Sequence, residues 1–256
     1  MSNLLILVPA SIAAIAASRG SDVAALLTAD PRDAWADSAV NSPASIDIDF
    51  GGVITVDTVF LGYLTGAAVG ATWSITGGTW GYTSVTLQSH TTLRVPDANG
   101  RFSAISHALW HGEAVTLRYL RITLTQPSGN PAISAGVVLG GNAFQAQFSH
   151  EWGAGRRVID SGTATPLPTG GFAIVEGARK GSFSWTLGDL APDEVEELYA
   201  LALESGETRS ILVVEDPDRT PALRHRIHYG LFDRFRPYDR RDPRRTRWEL
   251  AVTDWI

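Results

Sequence analysis

Cysteine is missing from all 256 residues of the chain. Its absence excludes disulfides, thiolate nucleophiles and zinc–thiolate centres together. Charge is sparse, with 19% of residues being Asp, Glu, Lys or Arg. Long apolar runs are missing too. Residues 4–8 and 12–17 are apolar, but each run is far below the roughly 20 residues a membrane span needs. Pro9 separates them and no Lys or Arg precedes them, so a strand and its connection are expected there rather than a secretory signal. Glycine and proline are well supplied, at 25 and 13 residues, and suit a protein of strands and turns. The length predicts two domains.

The chemistry-bearing motifs are incomplete. His107 and His111 stand four apart, but Ala108 occupies the place of a zinc-protease glutamate. His225 and His228, three apart in an expected strand, would point to opposite faces. Gly153-Ala154-Gly155 begins like a dinucleotide loop, yet Val158 stands at the third glycine position. Asp47 and Asp49 lack the rest of a calcium loop. There is no Gly-x-Ser-x-Gly elbow, and no acid pair of a glycosidase is recognisable. No metal, no cofactor and no enzymatic activity are expected.

The strands are legible. Ile46, Ile48 and Phe50 alternate with Ser45, Asp47 and Asp49, the period of a strand with one buried face. Gly51-Gly52 predicts a turn, and β-branched residues 53–61 a second strand. In residues 116–124, Leu120, Ile122 and Leu124 share one face; Tyr119, Arg121 and Thr123 take the other. Ser21 is a plausible N-cap for a short helix over 22–28, and Trp35 follows in a loop. Trp73 falls on a core face by alternation, Gly77-Gly78 reads as a turn, and Asp97-Ala98-Asn99-Gly100 as another. Residues 104–110 read as strand or as a poorly capped helix.

Residues 153–171 shift to Gly, Ser, Thr and Pro, which predicts a linker between a β-sandwich over 1–152 and a smaller antiparallel β domain over 172–256. In the second domain residues 192–204 form the one convincing helix. Pro192 sits at its first position, Asp193 and Glu194 fill the first turn, and Gly206 follows its end.

Between Arg219 and Trp248 ten arginines face three aspartates, a local charge of +7 in a chain of net −6. An acidic body with a basic end predicts contacts between copies or between domains. It argues against nucleic acid, which the remaining −13 would repel. Arg234, Arg236, Arg240, Arg241, Arg244 and Arg245 are the expected subunit-interface residues. Trp80, Tyr82 and Trp110 are the candidates for contact with a sugar or another surface.

Trp35, Asp49-Phe50-Gly51 with the following Val-Ile-Thr-Val-Asp-Thr-Val, and the strand over 117–123 resemble the discoidin-like, galactose-binding-type jelly roll over about residues 20–150. The whole chain resembles structural tail-tip or baseplate proteins, distal tail proteins among them, of long-tailed, non-contractile bacteriophages. The carriers of that resemblance are Arg19-Gly20-Ser21, Leu26-Leu27-Thr28-Ala29-Asp30-Pro31 with Trp35, and Val213-Val214-Glu215-Asp216-Pro217-Asp218 after a helix between strands. It implies a mainly-β fold whose second domain is of the tail-tube type, with the two modules in the reverse of the usual order. It also implies a virion protein assembled in the bacterial cytoplasm, with copies of itself and tube, hub or fibre proteins as partners. The alternative is a carbohydrate-binding module for host surface glycan.

Overall fold

The computed structural model describes residues 3–38, 43–96, 99–219, 223–233, 235–242 and 244–256, without the side chain of Arg241. The chain forms two compact units. One comprises Met1–Gln145 with Val214–Ile227, the other Ala146–Val213 with His228–Ile256.

The first unit is a β-sandwich jelly roll. Its strands are β1 (Leu5–Leu7), β2 (Ala14–Ala17), β3 (Trp35–Ala36), β4 (Ala44–Leu64), β5 (Thr72–Gly78), β6 (Val85–Thr92), β7 (Ser106–Thr125), β8 (Ser134–Ala135), β9 (Val137–Gly141) and β10 (Phe144–Gln145). The principal sheet runs β2-β4-β7-β5-β6, with β9 also on β4; β3 pairs with β8, and β1 with β10. The expected alternation holds, with Ile46, Ile48, Leu120, Ile122 and Leu124 all buried. One core gathers these with Val56, Val59, Leu61 and Leu117 from the other halves of the same two strands. The long strands β4 and β7 therefore serve both layers of the sandwich.

That arrangement corrects the turn expected at Gly51-Gly52. β4 is continuous for 21 residues. Asp49 pairs with Tyr119 and Ile54 with Leu117, so residues 50–53 bulge opposite Arg118. Gly51, at φ 79°, supplies the left-handed residue of the bulge. Gly77-Gly78 likewise ends β5 rather than turning. Residues 104–110 contribute the start of strand β7. The short helix is 3-10 over Val23–Leu27, with Asp22 rather than Ser21 at its N-cap. The turn expected at 97–100 falls partly outside the described residues.

The second unit holds β11 (Gly155–Asp160), β12 (Thr163–Pro166), β13 (Phe172–Val175), β14 (Arg179–Leu190), helix α1 (Pro192–Ser205), β15 (Ile211–Val214), β16 (Ile227–Phe232), β17 (Asp239–Asp242) and β18 (Arg245–Asp254). Its sheet runs β15-β16-β18-β14-β11, with β17 also on β18. Phe183, Trp185 and Leu187 alternate into the core, where they meet Trp248, Leu250 and Val252 of β18. Phe183 stacks on Trp185 at 5.2 Å and on His228 at 5.0 Å. Helix α1 buries Val195 and Leu198. The Glu194 carboxylate accepts the Ala191 N–H at 2.7 Å, closing the first turn.

The linker expected at 153–171 is structured. β11 pairs along its whole length with β14, and β12 forms a hairpin with β13. Every residue of β12 and β13 is exposed. With both faces in solvent the segment has no apolar alternation, so its composition signals exposure rather than irregular backbone.

Candidate functional site

The β5–β6 hairpin tip and the outer face of β4 and β7 bring the chemistry together. Gly77 and Gly78 pair with Leu120 and Tyr119. A Cβ on Gly77 would lie 2.6 Å from the Tyr119 carbonyl oxygen, so the glycine lets the hairpin close on β7. The turn over 79–84 then carries Trp80, 95% exposed, and Tyr82, half-buried.

Tyr82 meets Tyr119 edge-on at 5.2 Å. The Arg121 guanidinium lies 5.1 Å from the Tyr82 ring centre, and that of Arg118 lies 4.9 Å from the Tyr119 ring centre. Each arginine grips a carboxylate on β4 as a fork. Arg121 Nε and Nη2 donate to Asp47 at 2.6 and 2.7 Å. Arg118 Nε and Nη2 donate to Asp49 at 2.8 and 2.9 Å. The forks fix the guanidinium planes and leave Nη1 of each arginine outside the pairing. Desolvation first, then the carboxylates of Asp47 and Asp49, raise the Tyr82 hydroxyl, which stays protonated at neutral pH. The ensemble offers one bare indole face, two phenol edges and oriented N–H donors, the elements that stack on and hydrogen-bond a sugar ring.

Trp110 does not join this group. It is half-buried opposite Val59 and packs against the sandwich core. It lies nine residues before Tyr119 on β7, about 30 Å of strand at the usual rise. Three of the four candidate metal histidines, His107, His111 and His228, have a partner within the chain. His107 Nδ1 accepts the Tyr63 N–H at 3.0 Å, His111 Nδ1 lies 3.0 Å from the Thr58 hydroxyl, and His228 Nδ1 lies 3.0 Å from Asp254. His225 belongs to a 3-10 turn, Leu223–Arg226, not to the expected strand. Among the described residues no three His, Asp or Glu side chains gather as a metal site.

Of the six arginines, Arg236 pairs with Glu249 at 2.9 Å and Arg245 with Asp189 at 3.1 Å, both within the second unit. Arg240 and Arg244 are exposed. Arg234 and the side chain of Arg241 lie outside the described residues.

No family model matches this chain. No curated protein matches it significantly either. Among solved structures it is similar to chitosan-binding module 1 of a chitosanase/glucanase from Paenibacillus sp. IK-5, at 17% identity and TM-score 0.42, over 52% of this chain and 96% of that one. It is similar to CBM32-3 of a family 31 glycoside hydrolase from Clostridium perfringens, at 17% identity and TM-score 0.43, over 54% and 94%. A third is the CBM32 of AlyQ in complex with 4,5-unsaturated mannuronic acid, at 22% identity and TM-score 0.39, over 52% and 98%.

Sequence reasoning missed Tyr119 and Arg121 as partners of Tyr82, because strand register is not written in composition.

Proposed function

We propose that this chain is a non-catalytic carbohydrate-binding protein whose contact surface is the β5–β6 hairpin tip with the outer face of β7. The observation that carries the proposal is Trp80. A bare indole at a hairpin tip presents a flat apolar face that can cover the face of a sugar ring. Its neighbours in the hairpin and on β7 supply the hydroxyl and N–H donors that a sugar's rim requires. A glycan array followed by calorimetry on the best ligand tests it. Trp80→Ala is expected to weaken binding by about tenfold or more, the scale of one well-placed aromatic contact. An array without reproducible binding, or an unaltered affinity in Trp80→Ala, would sink the proposal.

A second reading is favoured by a separate observation. The β12–β13 hairpin exposes Leu167, Phe172, Ile174 and Val175, and the edge strand β11 exposes Val158. In this reading the protein is a structural part of a phage tail tip, built into the virion in the bacterial cytoplasm. Copies of the chain cover the hairpin, and Arg240 and Arg244 meet acidic surface of a neighbour. Light scattering at low and high salt tests it. A discrete multimer that dissociates with salt and in Ile174→Asp is expected; a monomer under all conditions would rule this reading out.

A further inference from the structure

A second pocket lies within the first unit, away from the tryptophan. It encloses about 240 Å³ between residues 94–95, residues 101–103 and 105, the first residues of β7 and the 3-10 turn Leu223–Arg226. Arg94, Arg101, Arg224 and His225 line it, and among the described residues no Asp or Glu does.

Two of the arginines, Arg94 and Arg224, are held in place by neutral atoms. Arg94 donates to the carbonyls of Ala67 at 3.1 Å and Ser103 at 2.7 Å, and its guanidinium lies 4.9 Å from the Phe102 ring centre. Arg224 donates to the Ser103 hydroxyl. These contacts fix the forks without cancelling their charge. Burial lowers the pKa of Arg224, the effect of taking a cation out of water.

Two further groups complete the lining. Ser106 is 8% exposed, and its Oγ has no hydrogen-bond partner within the described protein. A buried hydroxyl left in that state is unfavourable, and a ligand acceptor would satisfy it. His107 also lines the pocket. Its Nδ1 accepts the Tyr63 N–H, so in the neutral ring the proton sits on Nε2, a further donor.

We propose that this cavity binds a small oxyanion: a carboxylate, sulfate or phosphate group. Arg94 and Arg224 supply the charge and Ser106 Oγ a hydrogen bond. The volume admits one such group with part of the molecule that bears it. The site is separate from the carbohydrate surface: Ser106 lies thirteen residues before Tyr119 on β7, about 40 Å of strand contour.

The test is calorimetry on the full chain with sodium phosphate, sodium sulfate and sodium acetate, each against sodium chloride at equal ionic strength. Saturable binding of at least one oxyanion over chloride is expected, and the arm that binds identifies the group. Arg224→Gln is expected to weaken it about tenfold or more, the scale of one charge-assisted hydrogen bond, and Ser106→Ala several-fold. Trp80→Ala is expected to leave it unchanged, which separates this site from the sugar surface. Arg224→Lys keeps the charge and loses the fork, and serves if the glutamine variant does not fold. Absence of saturable binding for all three anions overturns the proposal, as does full affinity in both Arg224 variants.

Discussion

The Asp49 carboxylate accepts three hydrogen bonds, two from the Arg118 fork and one, at 2.7 Å, from the Gly51 amide. Arg118 first and the Gly51 amide second hold it at about 2, below its usual 3.8. A carboxyl whose pKa is lowered on folding stabilises the fold above its unfolded value, and that contribution fades as pH falls through the folded one. The window here runs from about pH 4 down to about 2. Arg118→Ala removes the larger cause, so Asp49 is expected to titrate much nearer the ordinary range. Carbon-detected NMR of the Asp49 side chain reads this; an unchanged midpoint would assign the shift to the backbone alone. Strict alternation puts Arg118 on the apolar face with Leu120. Leu117 and Leu120, three apart, are both buried, so the period breaks between them. The bulge on the facing strand is what frees Arg118 to reach Asp49, and no local pattern in β7 announces it.

At the scale of the element, Gly51 and Gly52 look equivalent in sequence and differ in structure. Gly51 has φ 79°, and a Cβ there would lie 2.8 Å from the Cβ of Ala13; a Cβ on Gly52 would meet nothing within 4 Å. Gly51→Ala is expected to cost about 1–2 kcal/mol in urea denaturation. Gly52→Ala is expected to stay within about 0.5 kcal/mol of the parent. Equal losses at both positions would show that the left-handed backbone of Gly51 is not what the bulge depends on. The same comparison shows what the residues conveyed. Half-buried strands such as residues 45–50 and 119–124 carry their burial in their alternation, and helix α1 carries its ends in Pro192 and Gly206. β11 and the β12–β13 hairpin bury neither face, so nothing in their apolar pattern marks them as strands. The candidate sugar surface was legible in Trp80 and Tyr82 but not in the arginines that frame it, whose place depends on pairing across 69 and 74 residues.

Across the whole molecule, acid is expected to act through His107 before most carboxylates protonate. Burial, reinforced by the positive charges of Arg224 and His225, pushes its imidazole from 6.5 down to about 3. The unfolded chain therefore binds a proton in this interval that the folded one refuses, and stability falls as pH drops from about 6.5 toward 3. In His107→Asn, whose side-chain oxygen replaces Nδ1 as acceptor for Tyr63, the slope of stability against pH between 6.5 and 4.5 is expected to flatten. Urea titrations at closely spaced pH values measure it; parallel slopes would point to other groups.

The division of the chain also governs how the protein is made. The jelly roll takes in Val214–Ile227 after the whole of Ala146–Val213 has intervened. During synthesis the ribosome must release that excursion, several seconds at roughly 5–20 residues per second, before the last piece of the first unit exists. A fragment ending near residue 152 would carry every strand from β1 to β10 yet lack Leu223, Arg224 and His225, one wall of the basic cavity. The nascent jelly roll waits unfinished, and its completion is timed by a segment that folds elsewhere.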